Sequence, residues 1–409
     1  MIKNMFNNPA SPFHYRDFNL LCLSRLTGTL GVQALSVAIG WQIYELTNDP
    51  FAIGLVGLAQ FLPSILLVLF AGQLADQMDR RLIMAITHFI AAFSALILML
   101  GTQFNFISPS VIYIMAALLG IVRIFGAPAM QALLPNSVPT EVFSKAIAFN
   151  STAFQIATIV GPALAGVIFF MGASAVYLFA TVLLVGASLF NIQMRTKTTI
   201  VKRPLTLENL FAGILFIKQR PVLLGAISLD LFAVLFASVI ALLPVYAKDI
   251  LNVGPQGLGL LRCAPAIGAA IMSLVLAKVG LRANAGRNLF LSIIVFAIVT
   301  IIFGISKDFY LSFAMLVILG CADMVSVYVR THLMQMNTPD DMRGRVASVN
   351  MLFITTSNEL GDFESGAMAA WLGTVPAVVV GGVLSLVVAG LIAWRVPSLR
   401  NLKTLEEVK

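Results

Sequence analysis

Residues 346–373 read VASVNMLFITTSNELGDFESGAMAAWLG, and this stretch decides how the chain is built. It is long enough to cross a bilayer, which takes about 20 residues. Yet Glu359, Asp362 and Glu364 stand in its middle. A carboxylate at bilayer depth costs about 2.5–3.5 kcal/mol on insertion scales. Three of them persist there only where they face protein, water or a cation. The stretch therefore belongs to a bundle with a polar interior.

The whole chain agrees. Of 409 residues 59% are hydrophobic and 11% charged, with a mean hydropathy of +0.95; soluble chains carry about 25% charge. This composition is that of an all-α polytopic membrane protein. Punctuation by Gly, Pro and charge predicts twelve spans near 17–45, 51–74, 82–101, 110–136, 142–170, 174–194, 221–248, 256–279, 287–305, 309–336, 342–373 and 375–396. The N-terminal stretch lacks the short apolar core of a signal peptide. Cys22, Cys263 and Cys321 fall singly inside spans, which fits helix packing and neither a disulfide frame nor a metal site.

The net charge of +8 is a topology signal. With both termini in the cytoplasm, that side collects Lys3, Arg16, Arg80, Arg81, Lys145, the basic run 195–220, Lys278, Arg282, Arg287, Arg343, Arg345 and the tail. The opposite face keeps Lys248 and Lys307. Such asymmetry is the positive-inside pattern and removes any need for a nucleic-acid partner. The expected organisation is a six-span half over 1–194, a linker over 195–220 and a second half with its tail over 221–409. Within the linker, LTLENLFAGILFIKQR has helical spacing and reads as an amphipathic helix on the inner surface, or else as an extension of the seventh span.

An internal repeat supports the two halves. Setting 119–166 against 319–366 without a gap aligns Gly120 with Gly320, Pro139 with Pro339, Asn150 with Asn350, Gly161 with Gly361 and Gly166 with Gly366. Two parallel six-helix halves resemble the major facilitator superfamily. The likeness becomes concrete at GQLADQMDRR, residues 72–81, which resembles that superfamily's loop Gly-x-x-x-Asp-x-x-Gly-Arg-(Arg/Lys). Gly72, Asp76, Arg80 and Arg81 match, while Asp79 stands where Gly is usual. In the superfamily the corresponding Asp lies near the start of the eleventh span, where Arg343 and Arg345 stand here. The resemblance therefore implies a cytoplasmic gate formed by Gly72, Asp76, Arg80, Arg81, Arg343 and Arg345; the alternative is a solvated turn.

The remaining ionisable residues at depth fall on few spans. Arg25 is on the first, Arg123 on the fourth, Asp230 on the seventh and Asp323 on the tenth. Arg262 lies near the outer end of the eighth, and Arg330 near the inner end of the tenth. In major facilitators the first, fourth, seventh and tenth spans line the central cavity, so the resemblance implies that substrate and water reach the first four. Arg25 and Arg123 are candidate substrate-binding cations, since guanidinium groups hold anionic oxygens. Asp323 and Asp230 are candidate proton carriers, as are Glu359 and Asp362, which lie about 60° apart on one helix face. Glu364 faces elsewhere. Alternatives are a buried Arg123–Asp323 pair that fixes one state, and neutral acids hydrogen-bonded to Ser357 and Asn358.

Two further motifs bear on direction. LLGIVRIFGA, with Leu119, Arg123 and Ala127 in register, resembles the superfamily's fourth-span pattern Leu-x-x-x-Arg-x-x-Gln-Gly. GPALAG, with Gly161, Pro162 and Gly166, partly resembles the fifth-span motif of antiporters. YELTNDPFAIGLVGLAQFLPSILLVLFAGQLAD from residue 44 and TPDDMRGRVASVN from residue 338 are similar to the bacterial exporter branch that includes siderophore and macrolide exporters. The resemblance implies a monomeric, proton-coupled antiporter of the inner membrane, moving a siderophore-like or amphipathic drug-like molecule. A multidrug exporter, a lysophospholipid flippase and a non-transporting receptor are the alternatives. An enzyme is not expected. His14, His88 and His332 are scattered without metal-ligand spacing, and no phosphate-binding Gly-x-x-x-x-Gly-Lys-(Ser/Thr) sequence exists. Hence no cofactor and no metal are expected.

Overall fold

In a computed structural model of the protein, the described residues are 8–196, 207–281, 284–339 and 342–403; within these, the side chains of 68–77, 207–211, 343, 344 and 348 are not described. All the long elements are α-helices, and no strand occurs among the described residues. The first six are α1 (Arg16–Thr47), α2 (Pro50–Gln77), α3 (Arg80–Gln103), α4 (Pro109–Leu133), α5 (Phe143–Ile168) and α6 (Ala173–Gln193). A short α7 (Leu207–Lys218) precedes α8 (Pro221–Phe236), α9 (Gly254–Val279), α10 (Ala285–Ile305), α11 (Phe309–Met336), α12 (Arg343–Leu372) and α13 (Thr374–Arg395).

Starts and stops follow local chemistry. Asp79 caps α3 by accepting from the Arg81 N–H, and Asp308 caps α11 by accepting from the Leu311 N–H. Pro50, Pro109 and Pro221 open their helices, where a missing N–H is harmless. Gly172 and Gly373 connect α5 to α6 and α12 to α13 with φ of 90° and 89°, a backbone region that favours glycine. The two turns stand at equivalent places in the repeat.

Among the described residues, ten helices are long and apolar enough to cross a membrane. The expected eleventh span is α12, an unbroken 30-residue helix whose acids lower its hydropathy. The expected seventh span, 221–248, is interrupted: α8 ends at Phe236, and helical structure resumes at Leu243–Val245 and a π-helical turn, Tyr246–Ile250. Pro244 is one cause, because it lacks an N–H and its ring crowds the carbonyl four residues earlier. Irregular backbone at membrane depth is tolerated where protein covers it, and here it is covered. Ser365 Oγ donates to the Ser238 carbonyl at 2.8 Å, and Ser238 Oγ donates to Asp362 Oδ1 at 2.8 Å. Residues Ala212–Lys218 meet α8 at 102°, so α7 turns sharply away from the axis of that helix.

The chain forms two units: Met1–Thr47 with Ala59–Leu205, and Asn48–Leu58 with Thr206–Lys409. In the first, α1 packs on α5 and α6, and α3 on α4 and α6. A polar chain crosses three of these helices: Tyr177 donates to Gln42 at 2.7 Å, and Gln42 donates to Thr102 at 2.8 Å. In the second, α11 packs on α9 and α10, and α8 on α12 and α13. Large apolar side chains such as Leu66, Phe170 and Trp394 point outward, as helices facing lipid require. The protein is a multi-pass membrane protein.

The repeat recurs in packing. A Cβ on Gly120 of α4 would lie 2.2 Å from the Gln60 carbonyl of α2, and one on Gly320 of α11 would lie 1.9 Å from the Pro265 carbonyl of α9. Gly161 of α5 sits against Gln33 of α1, and Gly361 of α12 against Leu235 and Ser238 at the end of α8. Matched glycines thus let matched helices approach closely in each unit, the small-residue packing expected in lipid. Among the described residues, the ten apolar helices, α12 and the interrupted α8 fill the twelve expected spans, the helix set that the resemblance to the major facilitator superfamily implies.

Candidate functional site

Most of the membrane-depth acids gather in the second unit, on α8, α11 and α12. Asp230 of α8 is 4% exposed and pairs with Arg330 of α11, itself 4% exposed. Its other oxygen, Oδ1, accepts from Ser326 Oγ at 2.8 Å. Asp323 lies within electrostatic reach of both Asp230 and Arg330. Asp323, Ser326 and Arg330 follow at i, i+3 and i+7, hence on one face of α11. One carboxylate thus pairs directly with the guanidinium and a second lies within its field, in an interior where an uncompensated charge is costly.

A second acid–base group lies at the interrupted span. Asp362 of α12 accepts from Ser238 and is within electrostatic reach of Arg262 of α9. Glu359, one turn earlier on α12, is buried. Both residues pack against the start of α2: a Cβ on Gly57 would lie 2.9 Å from Asp362 Cβ and 3.1 Å from the Glu359 carbonyl. Gly366 meets Gly54 at backbone distance, and Phe51 lies 6.0 Å from Phe363 between ring centroids. Lys248 Nζ donates to Asn48 Oδ1 at 2.7 Å. Glu364 is half-buried, and its Oε2 has no hydrogen-bond partner among the described residues.

The first unit carries cations. Arg25 of α1 lies over the Phe154 ring of α5 at 4.3 Å from the centroid. Arg123 of α4 is exposed. Gly161, Pro162 and Gly166 are buried on α5, where Gly161 admits Gln33 of α1. At the Arg16 end of this unit, Arg81 Nε donates to both Asp79 oxygens at 3.0 Å, and its Nη1 donates to the Met194 carbonyl at 2.5 Å. Arg80 donates weakly to the Ala132 carbonyl at 3.4 Å. Asp17 accepts from the Arg195 backbone N–H at 3.1 Å and from the Thr196 hydroxyl. These bonds tie the ends of α1, α3 and α6 together.

Of the expected gate, the side chains of Gly72, Asp76 and Arg343 lie outside the described residues. Arg345 is exposed. Asp79, the departure from the loop pattern, is the acid that engages Arg81. Asp230 and Asp323 were both expected at depth, but their shared partner Arg330 was not paired with them in sequence. Its i+7 spacing from Asp323 was the available signal. Arg262 as partner of Asp362, and Phe154 beneath Arg25, had no such signal, since each joins different helices.

The chain matches, over residues 7–408, the family described as transmembrane secretion effector within the major facilitator superfamily. The staphyloferrin A transporter of Staphylococcus aureus is 27% identical over 327 residues, 77% of this chain and 80% of that protein. Enterobactin exporter EntS of Escherichia coli O139:H28 is 25% identical over 369 residues, 88% of this chain and 85% of that protein. Among solved structures, a bacterial homolog of the human lysosomal transporter Spinster, inward-facing and occupied, superposes with a TM-score of 0.74 at 13% identity, covering 95% of this chain and 98% of that one. The nucleoside transporter NupG gives 0.70 at 16% identity, covering 93% and 99%. These structures share the fold. Family, architecture and the placement of charge agree: the chain belongs to the transmembrane secretion effector family of major facilitator transporters.

Proposed function

We propose that this transporter is a proton-coupled antiporter of the bacterial inner membrane. It works as a monomer with both termini in the cytoplasm, exporting a siderophore-like or amphipathic drug-like small molecule by alternating access. The observation that carries the reading is the buried acid–arginine network of the second unit. Such residues in spanning helices mark ion and substrate pathways. Asp230 and Asp362 each have a cationic partner. Asp323, which makes no ion pair among the described residues while Arg330 is engaged by Asp230, is the better proton carrier, together with buried Glu359. Arg25 and Arg123 bind the cargo. The cargo class rests on the two relatives named for staphyloferrin A and enterobactin.

The test is uptake into inside-out vesicles under an imposed pH gradient, with a panel of siderophores, macrolides and dyes. Proton-driven accumulation of a siderophore supports the reading. Accumulation of macrolides or dyes alone makes the protein a multidrug exporter, and movement of lysophospholipid makes it a flippase. Binding without counterflow in proteoliposomes makes it a receptor and removes the proposal. Within the mechanism, Asp323→Asn should uncouple accumulation from the gradient while leaving counterflow intact. If Asp323→Asn and Glu359→Gln both accumulate cargo like the parent, neither is the obligatory carrier.

A further inference from the structure

Arginines within the membrane region differ in one respect. Arg330 has Asp230 and Arg262 has Asp362, each an acid on another helix. Arg25 has none: no carboxylate and no hydrogen bond meets it among the described residues, and its Nε is buried without a partner. What it has is an aromatic face, Phe154, at 4.3 Å.

The neighbouring polar groups do not answer the charge. His88 of α3 is within electrostatic reach of Arg25, and its Nδ1 lies 3.0 Å from Asn191 Nδ2. An imidazole, neutral or protonated, carries no negative charge. Nε2 abuts Gly28, one turn along α1 from Arg25, at 2.4 Å from the place a Cβ would take. The imidazole is thus fixed by Asn191 and Gly28 and offers no anion.

A guanidinium with one face on an aromatic ring and Nη groups that meet no acceptor among the described residues is preorganised. Cation–π contact holds its plane. Its two Nη groups form a parallel fork that matches the two oxygens of a carboxylate, while the buried Nε takes no part. A partly buried cation without a protein counter-charge is stabilised when a ligand brings the anion. We propose that Arg25, positioned by Phe154, is a binding site for a carboxylate of the transported molecule. Phe154 is a positioning residue that sets the plane of the fork. This inference rests on the exporter reading for its cargo, but the binding step can be tested alone.

The full-length protein, in nanodiscs of phosphatidylcholine, is titrated calorimetrically with citrate, benzoate and the neutral isostere benzamide. We expect both carboxylates to bind and benzamide to bind at least tenfold more weakly. Arg25→Gln should abolish carboxylate binding. Arg25→Lys, which keeps charge but loses the fork, should weaken it about tenfold, and Phe154→Leu several-fold. Thermal unfolding of each variant identifies any loss due to misfolding, and Phe93→Leu, at an exposed position of another helix, serves as the bilayer-facing control. Equal affinity for benzamide, or unchanged carboxylate affinity in a folded Arg25→Gln protein, overturns the proposal. It is equally overturned if phosphatidylglycerol, and not the carboxylates, stabilises the parent protein in an Arg25-dependent way, because the counter-anion is then a lipid headgroup. Arg25-dependent binding without any transport supports this site while removing the exporter reading. Transport with unchanged KM in Arg25→Gln removes the site and leaves that reading standing.

Discussion

Replacing Arg330 by Met should destabilise the protein strongly, and replacing its partner as well should restore most of what was lost. Arg330 and Asp230 are each 4% exposed and paired across α8 and α11. Arg330→Met leaves the Asp230 carboxylate with the single Ser326 hydroxyl, at 2.8 Å, to offset its charge. Breaking a buried pair on one side costs about 3–5 kcal/mol. Asp230→Asn keeps the acceptor toward Ser326 but turns an amide donor toward the Arg330 donors, so it belongs in the same range. In the double variant neither partner of the pair is left charged, and the Ser326 bond survives. Buried pairs replaced by apolar residues of similar size are often close to neutral, so the double variant should fall within about 1.5 kcal/mol of the parent. Independent sites would instead add to about 6–10 kcal/mol. Reversible unfolding by SDS in mixed micelles, on the four proteins of the cycle, measures this directly. A double variant that loses as much as the two single variants summed would refute the pairing.

Other consequences concern packing and backbone. Gly320→Ala places a methyl 1.9 Å from the Pro265 carbonyl and should cost about 1–3 kcal/mol or more as overpacking, whereas Gly186→Ala on α6, with nothing within 4 Å, should change unfolding by no more than about 0.5 kcal/mol. Ser365→Ala removes the donor to the Ser238 carbonyl; amide exchange over residues 237–242 should speed up, and stability should fall by about 1–3 kcal/mol for the buried acceptor left unmade. Asp79→Ala removes the cap of α3 and both Arg81 bonds; a loss of about 1 kcal/mol in unfolding is expected, against a smaller loss for Asp79→Asn, which retains a capping oxygen.

What could be read from the order of residues, and what could not, divides along a physical line. Hydropathy and length mark the spans because each helix must satisfy its own backbone bonds in lipid, whatever its neighbours. The repeat was legible because glycine at a helix contact is a local requirement, and Gly120, Gly161, Gly320 and Gly361 perform it in place. The acids of 346–373 announced a polar interior for the same reason, since their insertion penalty is a property of the segment. Which cation answers which acid depends on how helices distant in sequence rotate and pack. Asp230 and Arg330 lie one hundred residues apart, and Asp362 and Arg262 lie on different helices. The interruption after Phe236 also needed α12, whose Ser365 and Asp362 bind the opened backbone and its serine. That Arg25 meets a ring and no acid is likewise a fact of packing. The sequence determined that charge enters the membrane; tertiary structure decided which charges pair within the protein and which meet no opposite charge among the described residues.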